Sequence, residues 1–215
     1  MGCVKAKYLR SPFMKKANIP AVETEIDWSK IPVLPIAEPI KTEETKVQAF
    51  AQICYNEQAL HIRLTAIEPE IRKEETGSLG MPCMDSCLEF FICPEKDDLR
   101  YFNFEFNPNG CLYLGFGSGP QNLIRLILSD VQQRIWFAPV VEVTEDAWNI
   151  CFQIPYFFIQ QFFPGFQIQT SSSLRGNFCK CGELLQQPHY LAWNRVTEGE
   201  SDFFHSPREF GFLYL

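Results

Sequence analysis

The sequence predicts an all-β protein: an antiparallel β-sandwich, jelly-roll-like or immunoglobulin-like in its two-sheet architecture, with one short helix. Three observations predict it. Between Tyr101 and Phe106, the phenylalanines 102, 104 and 106 alternate with Tyr101, Asn103 and Glu105, the period of a strand with one buried face. Similar short runs recur along the chain, separated by turn residues such as Asn107-Pro108-Asn109-Gly110, where proline pre-sets a negative φ and glycine tolerates a positive one. Phenylalanine, with 20 copies in 215 residues, suits the interleaved faces of packed sheets.

Each element follows from its own pattern. Residues 1–24 are weakly patterned and read as an N-terminal arm or edge segment; residues 25–215 read as one domain. Pro32, Pro35 and Pro39 exclude helix and central strand, so this stretch runs extended over the surface with Trp28 beneath it. Thr45 to Tyr55 and Ala59 to Ala66 alternate on either side of Asn56-Glu57 and predict a β-hairpin. Glu68 to Met84, with charges, Gly77, Gly80 and Pro82, is a long loop of the kind that often carries function. It leads into the central strands, Asp85 to Phe116. The glycine-rich Gly115 to Gly119 lacks the lysine a phosphate loop requires and reads as a turn.

Asn122 to Gln133 fits helix or buried strand, and Arg134 to Val143 reads as β. Trp148, Ile150, Phe152 and Ile154 mark a further strand. Pro155 to Phe163 predicts the helix, with proline at its first position and Pro164-Gly165 ending it. Phe166 to Thr170 alternates as a strand, polar Ser171 to Glu183 reads as a loop, and His189 to Trp193 and Glu209 to Leu215 close the domain.

Composition narrows function. A formal net charge of -7 and a pI near 5.1 argue against nucleic acid as the main partner, because phosphate binding requires a basic surface. The start, MGCVKAKYLR, has no apolar core segment, and no apolar run is long enough to span a membrane. Ala6 stands where an N-terminal acylation motif requires serine or threonine. The nine cysteines are then expected as reduced, mostly buried thiols in a cytoplasmic monomer, or in a secreted one if a leader precedes this sequence.

Several side-chain groups could carry chemistry. Cys179 and Cys181 with His189 invite a zinc reading, although CxC is not the usual pitch and Cys83 and Cys87 lie far upstream. Glu89 and Glu105 on neighbouring strands could form the carboxylate pair of a glycan hydrolase. Glu95, Asp97 and Asp98 form an acidic turn that could hold calcium or simply be solvated. An aromatic platform is the best-supported site. Sugar rings pack their C–H faces on aromatic rings, and their hydroxyls hydrogen-bond to side chains such as Gln, Asn and Glu. Tyr101, Asn103, Glu105 and Gln169 have the polar groups; Trp193, Phe203 and Phe204 have the rings. The alternative is that these aromatics are core.

The ordered set Asp85-Ser-Cys-Leu-Glu-Phe-Phe-Ile92, Tyr101-Phe-Asn-Phe-Glu-Phe-Asn-Pro-Asn-Gly110, Trp148 to Pro155, Gly165 to Gln169, Pro188 to Asn194 and Phe203 to Phe212 resembles the family 9 carbohydrate-binding modules. The resemblance covers about residues 25 to 215. It implies a β-sandwich related to the DOMON group and non-catalytic binding of plant-type poly- or oligosaccharides or glycan ends, in modules attached to xylanases and similar enzymes. It matches Gln169 to a sugar-contacting glutamine, Glu89 to a glutamate near the pocket, and Phe204 to one of two clamping tryptophans. The other clamp falls near Cys83, where no aromatic stands, and Glu105 occupies the place of an arginine. Family members often bind calcium, for which this sequence offers no assignable ligands; no other cofactor is expected. The expected sugar site is Gln169, Phe204, Glu89, Trp193, Glu105 and Asn103. The DOMON kinship also leaves open a haem or redox domain using Met81, Met84 or His189, and an interaction module without a small ligand remains a further alternative.

Overall fold

The computed structural model describes residues 14–23, 25–40, 45–169, 172–197 and 204–215. Residues 1–13, with the basic side chains Lys5, Lys7 and Arg10, and Phe203 lie outside the described residues. The strands are β1 (Lys16–Asn18), β2 (Leu34–Ile36), β3 (Glu38–Pro39), β4 (Gln48–Tyr55), β5 (Ala59–Ile67), β6 (Cys87–Cys93), β7 (Tyr101–Phe106), β8 (Leu112–Gly117), β9 (Ile124–Arg125), β10 (Val140–Val143), β11 (Ala147–Pro155), β12 (Ser173–Gly182), β13 (His189–Ala192) and β14 (Gly211–Tyr214). The helices are α1 (Asp130–Phe137) and α2 (Tyr156–Gln160).

Two sheets pack face to face. Among the described residues the first has nine strands, in the order β1-β14-β12-β6-β7-β8-β9, with β13 beside β12 and β3 beside β13. The second has five, in the order β10-β11-β5-β4-β2. β1 runs parallel to β14, while the central pairs are antiparallel. This is the sandwich the alternation predicts.

The core follows from that alternation. Leu88, Phe90 and Ile92 of β6, Phe102, Phe104 and Phe106 of β7, and Leu174 and Phe178 of β12 meet Ile62 and Leu64 of β5 and Trp148, Ile150, Phe152 and Ile154 of β11. Phe90 stacks on Phe178 with ring centroids 4.6 Å apart. Burial of each such ring contributes about 1.5–3 kcal/mol. The β4–β5 hairpin turns on Asn56, whose Oδ1 accepts from the backbone N–H groups of Gln58 and Ala59. The β7–β8 turn uses Gly110 at φ 73°, a left-handed conformation that costs glycine little. Pro35 sits in the edge strand β2, where a missing N–H is tolerated.

Three expectations are overturned. Residues 130–137, of which 130–133 were open between helix and strand and 134–137 were expected as β, form α1. Ser129 and Gln132 cap it reciprocally, and Ala138 ends it in a left-handed conformation, so β10 begins only at Val140. The expected strand from Phe166 is not one among its described residues: Phe166 N–H bonds to Phe163 O, and Ser172 N–H bonds to Gln169 O. The expected loop Ser171 to Glu183 contains the long strand β12, central in the first sheet. Its sequence hides the alternation because Arg175 and Asn177 face outward beside Cys179 and Cys181, which pack in a second buried cluster with Cys87, Phe91 and Phe204, and Lys180 faces inward.

Candidate functional site

The same alternation that sends Phe90 and Phe104 inward sends a second set to the outer face of the first sheet. Cys87, Glu89, Phe91 and Cys93 come from β6, Tyr101, Asn103 and Glu105 from β7, Tyr113 from β8, and Cys179 and Cys181 from β12. Register fixes their neighbours: Glu89 stands opposite Glu105 on one side and Cys179 on the other, Cys87 opposite Cys181, and Glu105 opposite Tyr113.

This face is roofed. The loop after β5 is pinned by Asp85, whose Oδ2 accepts from Glu74 N, Glu75 N and Asn107 Nδ2, each at 2.8 Å. Arg125 of β9 donates to the carbonyls of Ser78, Leu79 and Gly80, and its guanidinium lies over the Tyr113 ring at 4.8 Å. These anchors bring Cys83 over the sheet. From the other side, Phe204 packs on Phe91 and Tyr190, each with ring centroids 6.2 Å apart, and His205 Nδ1 meets Tyr101 Oη at 2.7 Å. Arg175 holds this segment and the 94–99 turn by donating to Pro207 O and Asp98 O.

Beneath the roof, Asn103 Nδ2 donates to Glu105 Oε1 at 2.7 Å. Asn103 Oδ1 and Glu105 Oε2 are buried, and no described group hydrogen-bonds to either. Each unpaired acceptor costs about 1–3 kcal/mol. Burial pushes the Glu105 carboxyl up to about 8, with the Asn103 hydrogen bond opposing it and the charge of Glu183 reinforcing it. Glu89 is pushed well above the usual carboxylate range by burial and by Glu105. The floor thus offers oxygen acceptors among rings and thiols, with Cys83, Tyr113, Leu123, Arg125, Glu183 and Tyr190 half-buried around it.

Four of the expected site residues gather here: Glu89, Asn103, Glu105 and Phe204. Two do not. Trp193 is 3% exposed and packs on Phe178 in the sandwich core, on the opposite side of the sheet from Glu89. Gln169 is exposed beside Ser172, before β12 begins, whereas Glu89 sits opposite Cys179. Ser173 and Cys179 are about 20 Å apart along the strand, so Gln169 lies beyond the far end of this face.

The zinc grouping is likewise divided. Cys179 and Cys181 face outward, while His189 faces inward against Gly182, near Glu68 and Lys180. His189 is also on the opposite side of the sheet from the loop that carries Met81 and Met84, so the three expected haem or redox residues do not converge. The Asp98 carboxylate of the acidic turn is taken by Arg100, at 2.6 Å. Tyr113, Tyr190 and Arg125 are residues of this face that sequence reasoning missed, and Cys87, set aside there as too far upstream, stands opposite Cys181. The signal was present for Tyr113, which alternates against Leu112 and Leu114.

A family model described as carbohydrate-binding family 9 matches residues 16–215. No curated protein matches the sequence. A candidate carbohydrate-binding protein from Bacteroides uniformis ATCC 8492 is 24% identical, with a TM-score of 0.75 over 93% of this chain and 98% of its own. A family 9 module from Caldicellulosiruptor kristjanssonii, solved with cellotriose, is 12% identical, with a TM-score of 0.64 over 93% of each chain. The same organism's module with glucose gives 12% and 0.65, over 93% of this chain and 95% of that one.

Proposed function

Because the chain belongs to carbohydrate-binding family 9, we propose that the roofed outer face of its first sheet holds the end of a glycan chain. One observation carries the reading: Asn103 Oδ1, an acceptor, and Glu105 Oε2, which bears the carboxyl proton when Glu105 is protonated, are buried without a hydrogen-bond partner among the described residues, at the foot of an aromatic rim. Sugar hydroxyls both donate and accept, which suits an amide oxygen beside a carboxyl group. Two of them would satisfy both oxygens, while the half-buried Tyr113 and Tyr190 offer ring surface to the sugar C–H faces and the buried Phe204 backs Tyr190. The segment 204–210 and the loop bearing Cys83 close over the floor, which favours a terminal sugar over the middle of a long chain. The Caldicellulosiruptor modules were solved with glucose and cellotriose. Glucose-based plant-type oligosaccharides are therefore the first ligands to test.

The Glu89–Glu105 pair also admits a hydrolase reading, which requires one ionised carboxylate beside one protonated acid. Burial pushes both groups up, which favours binding over turnover. A glycan array on wild type and Phe204→Ala, with reducing-sugar assays on the same oligosaccharides, tests both readings. Binding that is lost in Phe204→Ala, without turnover, supports the proposal. Unchanged binding in the folded variant rejects this rim, and turnover abolished by Glu89→Gln installs the hydrolase.

A further inference from the structure

Beside the two unpaired acceptors, the floor brings together soft and hard metal-binding atoms from strands distant in sequence. Cys87 and Cys181 are register partners on β6 and β12, and Glu89 follows Cys87 on the same face. The Cys181 thiol donates to Glu89 Oε1 at 3.3 Å, and ligand atoms of Cys87, Glu89 and Cys181 all lie within 4.8 Å of one another. The three residues are 0%, 3% and 1% exposed. Donors around a tetrahedral zinc ion stand about 3.5–3.8 Å apart, so side-chain rotation alone would close the group.

A second observation points to a cation. Glu105, directly opposite Glu89, turns a buried Oε2 without a hydrogen-bond partner toward the same face. Two nearby described cations are held by other groups: Arg125, whose charge still reaches Glu105, by three backbone carbonyls, and Lys180 by Glu68 on the inner side of the sheet. Two thiols and two carboxyls thus share a buried space into which no described lysine or arginine makes an ion pair.

We propose that Cys87, Cys181 and Glu89 bind a thiophilic divalent cation of the zinc class, with a fourth position open toward Glu105 and Cys83. Two thiolates select zinc over magnesium or calcium, and three protein ligands with one open position is an arrangement that leaves room for water or a ligand oxygen. Binding releases both thiol protons, and the carboxyl proton where Glu89 carries one, to the buffer. The metal keeps its oxidation state and no electrons move. The site shares Glu105 with the proposed sugar floor, and its test is therefore made without sugar.

Cobalt(II) is the direct probe. Added to reduced, metal-free protein without sugar, it is expected to give one equivalent of a thiolate-to-cobalt charge-transfer absorption that zinc then abolishes. Cys87→Ser and Cys181→Ser should lose the band, while Cys151→Ser, on the other sheet, should keep it. Circular dichroism checks that each variant folds. Should the cysteine variants fail to fold, Glu89→Gln carries the test, with the band kept and the cobalt midpoint raised about tenfold or more. No band in wild type, a band retained in Cys181→Ser, or an unshifted Glu89→Gln midpoint overturns the proposal. So does freshly isolated, metal-free protein in which mass spectrometry finds a Cys87–Cys181 disulfide.

Discussion

Glu89 and Glu105 stand directly opposite one another on β6 and β7, buried on the same face of the sheet. Opposed carboxylates repel unless one is protonated or a cation intervenes. This relationship sets two ionisable groups into a face otherwise packed by a second buried cluster that includes Cys87, Phe91, Tyr101, Cys181, Phe204 and Phe210. An apolar pair here would pack more stably and bind nothing polar.

The Glu105 carboxyl, held up to about 8 chiefly by burial, gives the metal-free protein a defined pH dependence. Between the ordinary glutamate value of about 4.5 and 8, the folded state keeps a proton that the unfolded chain has lost. This contribution is therefore fully present at low pH and disappears as pH rises through that window, by about 1.4 kcal/mol per pH unit at most. Melting temperatures from pH 5 to 8 should fall less steeply in Glu105→Gln than in wild type. Parallel curves would show that Glu105 ionises normally.

Lys180 lies on the inner side of β12, fully buried, with Nζ 2.9 Å from Glu68 Oε2, and Trp148 Nε1 donates to Glu68 Oε1 at 2.6 Å. Removing one partner leaves the other charge buried. Lys180→Met is expected to lower stability by about 3–5 kcal/mol, and adding Glu68→Gln should recover part of that loss. Urea denaturation of the two single variants and the double variant measures it. Additive losses would mean the pair is not coupled.

Gly211 is set by Trp193: a Cβ there would lie 2.5 Å from the tryptophan ring and 2.9 Å from Lys15 O. Gly211→Ala should therefore cost about 1–3 kcal/mol, and Trp193→Ala about 3–5 kcal/mol by opening a cavity beside Phe178. Glucose affinity, measured well below the melting temperature, should change in neither, because both positions lie away from the outer floor. Loss of binding in a folded Trp193→Ala would return Trp193 to the site.

Much of this architecture was legible from period-two alternation. The rows of β4, β5, β6, β7 and β11 could be read because one side of each strand is apolar, and Phe102, Phe104 and Phe106 fell inward as their spacing requires. What hid β12 is that its outward side chains mix Arg175 and Asn177 with cysteines and its inward ones include Lys180, so no apolar period survives. With β12 read as a loop, the meeting of Cys181 with Glu89, 92 residues apart, could not be foreseen. Helix α1 was missed because Ile135, Trp136 and Phe137 read as a strand, although only Phe137 is buried and the Ser129–Gln132 capping pair was in view. Trp193 and Gln169 were drawn to the site by residue type; burial in one case and position along β12 in the other remove them from it.

The most direct measurement of the account is a calorimetric titration of glucose and cellotriose into wild type, Asn103→Ala and Gln169→Ala. Heat of binding is expected in wild type and Gln169→Ala and none in folded Asn103→Ala. Binding that survives in Asn103→Ala but vanishes in Gln169→Ala would place the sugar at the other end of the sheet and contradict the central claim.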